Sequence, residues 1–311
     1  MKVYKELSLV EHKSSLVVTV GSFDGLHIGH HKIIEEVIKN AGKKNIESCV
    51  ITFEPHPRMV LQKEAGIKLL TSLDEKIEIL GKIGIDKLIV LNFTVDFSNK
   101  TSDQFIEEYV LKLGAVHMVV GHDHKFGKDR LGDVNKLIEI AANDSFEITE
   151  VKPETWNGEI VSSSKIRKAL LNGDINKANE YLGRNYSVSG VITLGAQRGR
   201  TLGFPTANIK SSYENKVLPK NGVYIVDCNF DGHNYFGIMN IGIRPTFENK
   251  SEVVLEVNLL GFDGDIYGHQ MKLNFMHRIR DEKKFQSKEE LIQQINADKN
   301  YATEVLKSFG K

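Results

Sequence analysis

The sequence predicts an α/β plus β architecture: an N-terminal doubly wound parallel sheet, then a small antiparallel β-barrel with a C-terminal helix. Three observations carry this. Apolar strand runs alternate with helical patterns from residue 16 to about residue 183. At Gly183-Arg184-Asn185-Tyr186 the texture changes to short period-two segments separated by glycine turns, and a helical pattern returns only over 287–308. The 311 residues suffice for two domains with separate cores, 1–183 and 184–311.

The first strand is Leu16-Val17-Val18-Thr19-Val20, an uninterrupted β-branched run of the kind buried in a parallel sheet. Strands follow over 46–53, 88–91, 116–120 and 146–151, with helices over 32–39, 72–82, 102–113 and 134–142 between them. Thr71-Ser72 and Thr101-Ser102 supply hydroxyls where helix N-caps are wanted. Such alternation argues right-handed crossovers around one sheet. An amphipathic helix following the serines of 161–170, broken at Asn172-Gly173-Asp174, and a second helix over 175–182 close this half. The second half has strands over 188–194, 222–228, 235–241, 251–259 and 271–275, and Asp231-Gly232 and Asp263-Gly264 give hairpin signals. Five or six such strands without helices suggest a barrel.

Composition narrows the partners. Lysine plus arginine equals aspartate plus glutamate, so nothing supplies an electrostatic grip on nucleic acid or anionic membrane. Cys49 and Cys228 lie far apart in apolar runs and read as buried free thiols. The first residues lack a signal-peptide core, and no apolar run reaches the length of a membrane span. The expected location is the cytoplasm.

The densest chemistry follows the first strand: Gly21-Ser22-Phe23-Asp24-Gly25-Leu26-His27-Ile28-Gly29-His30-His31. A strand-to-helix turn at the carboxyl end of a strand is where an open α/β sheet binds ligands. The helix N-terminus there offers unpaired N–H groups and a positive dipole end, which suit phosphate. His27 and His30 are three apart and share a face. Metal ligation is the alternative, but no carboxylate or cysteine cluster nearby completes a shell. Two further loops fall at strand ends: Glu54-Pro55-His56-Pro57 and Gly121-His122-Asp123-His124-Lys125-Phe126-Gly127. Ser162-Ser163-Ser164-Lys165-Ile166-Arg167 opens a helix, as N-caps and as a second phosphate cradle.

In the second half, Gly199-Arg200-Thr201-Leu202-Gly203-Phe204-Pro205-Thr206-Ala207-Asn208 combines glycines for close backbone approach with two oxygens two residues apart. Thr206 and Asn208 suit an ion whose other ligands are phosphate oxygens and water; a local turn after Pro205 is the alternative. Glu256 stands opposite Leu255 and Val257 in an apolar strand, either facing solvent or placed as a base.

These motifs carry a resemblance. The first turn resembles the His-x-Gly-His nucleotidyltransferases, in the version found in prokaryotic FAD synthetases. Gly199–Asn208, Asn240-Ile241-Gly242-Ile243-Arg244-Pro245-Thr246-Phe247 and Ile279-Arg280-Asp281-Glu282-Lys283-Lys284-Phe285 resemble riboflavin kinase. Together they resemble the bifunctional riboflavin kinase/FMN adenylyltransferase family over essentially the whole chain. The resemblance implies two ATP-dependent reactions, riboflavin to FMN and FMN to FAD plus pyrophosphate, with Mg²⁺ and without nucleic-acid or membrane partners. It implies His27, His30 and Arg167 as catalytic groups of the first domain. Gly21, Phe23, Asp24, Gly25, Gly29, Ser163 and Ser164 would lie around its ATP, and Pro55, His56, Asp123 and Phe126 near flavin. In the second domain Gly199, Arg200, Gly203 and Pro205 would hold ATP, Thr206 and Asn208 the metal, Glu256 would be the base, and Arg280 would lie on a flap beside flavin. His124 departs from the family's usual Phe, and Asn258 from its usual histidine or aromatic residue. The alternatives are a chain with one active module and a non-catalytic flavin carrier or regulator.

Overall fold

Alternate residues of one short strand face two different cores. In β2 (Leu16–Val20), Leu16, Val18 and Val20 pack with Cys49, Ile51 and Met118, whereas Val17 packs with Val50, Leu88 and Val119. A strand apolar on both faces belongs inside a parallel sheet. It lies there: β1 (Lys2–Tyr4), β3 (Glu47–Glu54), β4 (Lys87–Asn92), β5 (Ala115–Gly121) and β6 (Glu147–Val151) complete six parallel strands in the order β1-β4-β3-β2-β5-β6. The structure is a computed structural model that describes residues 1–6, 15–61, 66–122, 124–128, 132–144, 146–194, 206–245 and 251–310. It divides into two units, Met1–Ser163 and Ser164–Lys311.

In the first unit the helices are α1 (Ile28–Lys44), α2 (Pro57–Leu61), α3 (Leu73–Ile83), α4 (Val95–Ser98), α5 (Ser102–Tyr109) and α6 (Val134–Asp144). Ser72 and Thr101 cap α3 and α5 in reciprocal capping boxes with Glu75 and Gln104. The helix expected over 102–113 stops at Tyr109 and continues as a 3₁₀ turn, Leu111–Leu113. Strand β1 is an addition, since three residues carry no readable period and only the free edge of β4 makes them a strand. A hairpin of β7 (Thr155–Trp156) and β8 (Glu159–Ile160) follows. From β2 the chain builds outward through β3 and β4, then returns to the other side of β2 with β5. The carboxyl end of β2 is thus the topological switch point of the sheet, where ligands bind in such folds.

Helices α7 (Ser163–Asn172) and α8 (Ile175–Leu182) precede β9 (Tyr186–Thr193), β10 (Ala207–Ser211), β11 (Gly222–Phe230), β12 (His233–Pro245), β13 (Ser251–Leu259) and β14 (Gln270–Arg280), with α9 (Lys288–Ser308) at the end. The six strands close into a barrel, β10-β13-β12-β11-β14-β9. One parity fills its interior, including Val188, Ile209, Met239, Leu255, Val257 and Leu273. On the outer face, Ala302 and Leu306 of α9 cover Ile225, with Ile238 and Met276 alongside.

The Asp231-Gly232 signal gives a two-residue hairpin between Phe230 and His233, with φ of 49° and 76° at its two centres. The Asp263-Gly264 expectation is overturned. Strand β14 pairs with β11 and β9, not with β13, so residues 260–269 are a crossing connection. Barrel closure chose the neighbours, which a local turn signal does not encode.

Candidate functional site

The turn after β2 is held by its own residues before any ligand arrives. His27 is the N-cap of α1, its Nδ1 accepting from the His30 N–H at 3.4 Å. This brings the two rings into a stack with centroids 3.7 Å apart, and Phe23 meets His30 edge-on at 5.2 Å. Gly29 leaves little room beside the pair: a Cβ there would lie 3.2 Å from His27 Nδ1. His30 Nδ1 is enclosed and has no hydrogen-bond partner among the described residues. Burial, then the neighbouring His27, His31 and Lys76, holds the His30 ring well below the ordinary histidine range.

Behind the turn is a brace. Asp24 Oδ1 accepts from the Leu70 N–H at 2.9 Å and the Thr71 N–H at 3.1 Å, and Thr71 Oγ1 accepts from the Gly25 N–H at 3.0 Å. Ser163 Oγ donates to the Asp24 carbonyl at 2.8 Å, and Lys76 Nζ donates to the Ser22 carbonyl at 2.9 Å. Asp24 is buried, and its Oδ1 takes part in this brace. Gly21 and Gly25 belong to the same turn. Ser164 is exposed and Arg167 half-buried on α7.

The Pro55-His56 loop follows β3, which neighbours β2, so it shares the carboxyl edge of the sheet with the turn. His56 is buried, its Nδ1 accepting from the Arg58 N–H at 3.1 Å. Burial pushes the Glu54 carboxyl up, against the pull of Lys76. Phe126 is packed inside an aromatic cluster with Phe105 at 5.9 Å and His124 at 5.6 Å. Asp123 lies outside the described residues.

The barrel presents a row of polar side chains. Asn208 on β10 is in register with Glu256 on β13, and Glu256 with Asn240 on β12. All three are half-buried, on the parity opposite the interior residues Leu255 and Val257. Thr206, also half-buried, immediately precedes β10. Two neutral oxygens beside one carboxylate form a donor set for a hard cation that brings further oxygen ligands. Among the described residues no group of three His, Cys, Asp or Glu side chains could hold a metal by itself. Gly199, Arg200, Gly203 and Pro205 lie outside the described residues.

Arg280 is the residue expected on a flap beside flavin. It closes β14, and its guanidinium grips Asp298 on α9, Nε at 2.9 and 3.1 Å and Nη2 at 2.7 Å. Lys76 escapes the sequence reading, while Thr71 reads only as a cap and Asn240 only as part of a motif. Lys76 sits within Leu73-Asp74-Glu75-Lys76, which reads as a solvated helix start, and no sequence signal announces its burial.

Comparison with known proteins agrees with this geometry. A family model described as FAD synthetase matches residues 9–165, and one described as riboflavin kinase matches residues 182–306. The chain is 37% identical to the Bacillus subtilis bifunctional riboflavin kinase/FMN adenylyltransferase, covering 97% of this chain and 96% of that protein. It is 37% identical to the Listeria monocytogenes protein of the same name, over 91% and 90% of the two chains. The Escherichia coli protein of that name is 34% identical, over 93% and 92%. A solved Streptococcus pneumoniae structure titled as a macrolide-efflux protein superposes with a TM-score of 0.90 at 30% identity, over 97% and 98% of the chains. No described helix of the present chain is long and apolar enough to cross a membrane. With both domains matched and full-length relatives above 30% identity, the chain belongs to the bifunctional riboflavin kinase/FMN adenylyltransferase family.

Proposed function

We propose that the chain makes FMN from riboflavin and ATP in its barrel, and FAD from FMN and a second ATP in its parallel-sheet domain. The functional division falls at 183/184, and the enzyme works in the cytoplasm on small molecules alone. The observation that carries the reading is the stacked His27–His30 pair at the amino end of α1, with an enclosed and unpartnered Nδ1 on His30. The amino end of that helix offers N–H groups and a positive dipole end that suit a phosphate. Both family models and the named relatives support flavin chemistry rather than efflux.

Domains of these two kinds are ATP-dependent and generally use a divalent metal. Mg²⁺ is the ion proposed here, held by Thr206 and Asn208 in the barrel, where it would neutralise phosphate charge. The riboflavin 5′-hydroxyl attacks the γ-phosphorus of ATP and gives its proton to Glu256, while the bond to the β-phosphate oxygen breaks and ADP leaves. Gly199, Arg200, Gly203 and Pro205 would bind that ATP, and Arg280 the flavin. In the other domain a phosphate oxygen of FMN attacks the α-phosphorus and pyrophosphate leaves. That nucleophile is already anionic, so the work falls on orientation and charge stabilisation. His27, His30, Ser163, Ser164 and Arg167 hold phosphates, with Gly21, Phe23, Gly25 and Gly29 shaping the turn and Asp24 bracing it. Pro55, His56, Asp123 and Phe126 border the flavin.

A chromatographic time course of riboflavin, ATP and Mg²⁺ with the purified chain tests this. FMN appearing first and FAD following is the expected result. Accumulation of FMN alone overturns the adenylyl half, and flavin binding without either product overturns both halves in favour of a carrier.

A further inference from the structure

Under the phosphate turn lies a charged side chain that neither reaction uses. Lys76 is 2% exposed, and its Nζ lies 2.9 Å from the Ser22 carbonyl. An ammonium buried so deeply is expensive unless paired. Asp24 and Glu54 pull its affinity for the proton up, while burial pulls it down further. The turn it supports is conformationally demanding: Phe23 and Leu26 sit at φ of 46° and 42°, in the left-handed region that bulky residues resist. Such backbone persists only where its surroundings over-determine it. Here residues 70–76 do so at successive points, through Leu70 and Thr71 on Asp24, Thr71 on Gly25, and Lys76 on Ser22.

We infer that Lys76 is a positioning residue for adenylyl transfer: its ammonium pins the Ser22 carbonyl and so sets the backbone that delivers His27 and His30 to the nucleotide. The inference rests on the function proposed above and assigns a supporting part to it. The same ammonium places positive charge behind His30 and opposes protonation of that ring. The other groups facing this pocket are Asp24, Glu54 and, beyond it, Asp74, with His27 and His31 beside His30.

Three substitutions in the full chain separate bond from charge. K76M removes both, K76Q keeps a donor without charge, and K76R keeps donor and charge. The expected outcome for K76M is a fall of about a hundredfold in kcat for FMN to FAD, with a smaller change in KM for ATP. Riboflavin phosphorylation by the same preparation stays unchanged, and K76R recovers most of the loss. The His30 ring titration, followed by nitrogen-15 NMR on the apo chain, moves to higher pH in K76M and K76Q and stays in place in K76R. Wild-type FAD kinetics in K76M overturn the inference. So does an equal loss in all three variants with an unmoved His30 titration, which marks Lys76 as packing only. Should K76M not fold, K76Q and K76R carry the comparison. A wild-type chain that forms no FAD refutes the adenylyl reading instead, and the NMR titration still decides whether Lys76 acts on His30.

Discussion

The two candidate sites are held by different means. At the phosphate turn, buried side chains do the holding: Asp24, Thr71 and Lys76 satisfy backbone groups of residues 22–25 and 70–71. In the barrel the backbone does it, because the register of β10, β13 and β12 sets Asn208, Glu256 and Asn240 side by side. A site built on side-chain braces is vulnerable to substitutions that touch no ligand. A site built on a strand ladder is vulnerable mainly at the groups that do the chemistry.

Substitution can break this contrast at several levels. The largest effect belongs to Glu256→Gln, expected to slow riboflavin phosphorylation about a hundredfold to ten-thousandfold with FMN adenylylation intact. His30→Ala is the mirror image, with FAD formation down about a hundredfold to a thousandfold and FMN formation preserved. Loss of both activities in either variant would deny that the sites work independently. Asp24→Ala leaves the Leu70 and Thr71 N–H groups without their acceptor. It should lower the denaturant stability of the first unit by about 1–3 kcal/mol and slow FAD formation. The corresponding Asn240→Ala in the barrel should leave stability nearly unchanged, so equal losses would erase the distinction.

Protonation offers a gentler probe. Burial holds the His30 and His117 rings below the ordinary value of 6.5. Their folded values are depressed, so the unfolded chain binds protons first as pH falls. Their stability contribution is complete above about pH 6.5 and is lost as pH falls toward the folded values. Denaturant midpoints should therefore drop between about pH 7.5 and about pH 5.5, less so in a His117→Gln variant. The smallest effect is Gly232→Ala. Its φ of 76° disfavours a side chain although nothing lies within 4 Å, and about 1–2 kcal/mol is expected.

The strands and helices that pack by period were legible: 16–20, 175–182 and 251–259 appear at their expected bounds. So was the placement of His27 and His30 on one face, which needs only helical spacing and a cap. Strand β1 was not legible, because three residues become a strand only against the edge of β4. Nor was the fate of Asp263-Gly264, since a turn dipeptide carries no information about barrel closure. Arg280 illustrates the same limit. Its place at the end of a strand follows locally, but its grip on Asp298, eighteen residues later in the chain, requires α9 to fold back on the barrel.

By itself, then, the sequence determined the two architectures, the order of their elements and the residue types at each site, because periodicity, caps and motif spacing are local properties. Tertiary structure alone decided which of those residues are buried and which backbone groups they hold. Asp24 reads as part of the turn motif and Lys76 as a solvated helix residue, and they become a buried brace only when residues 70–76 are folded against the turn, since burial and pairing depend on neighbours distant in sequence.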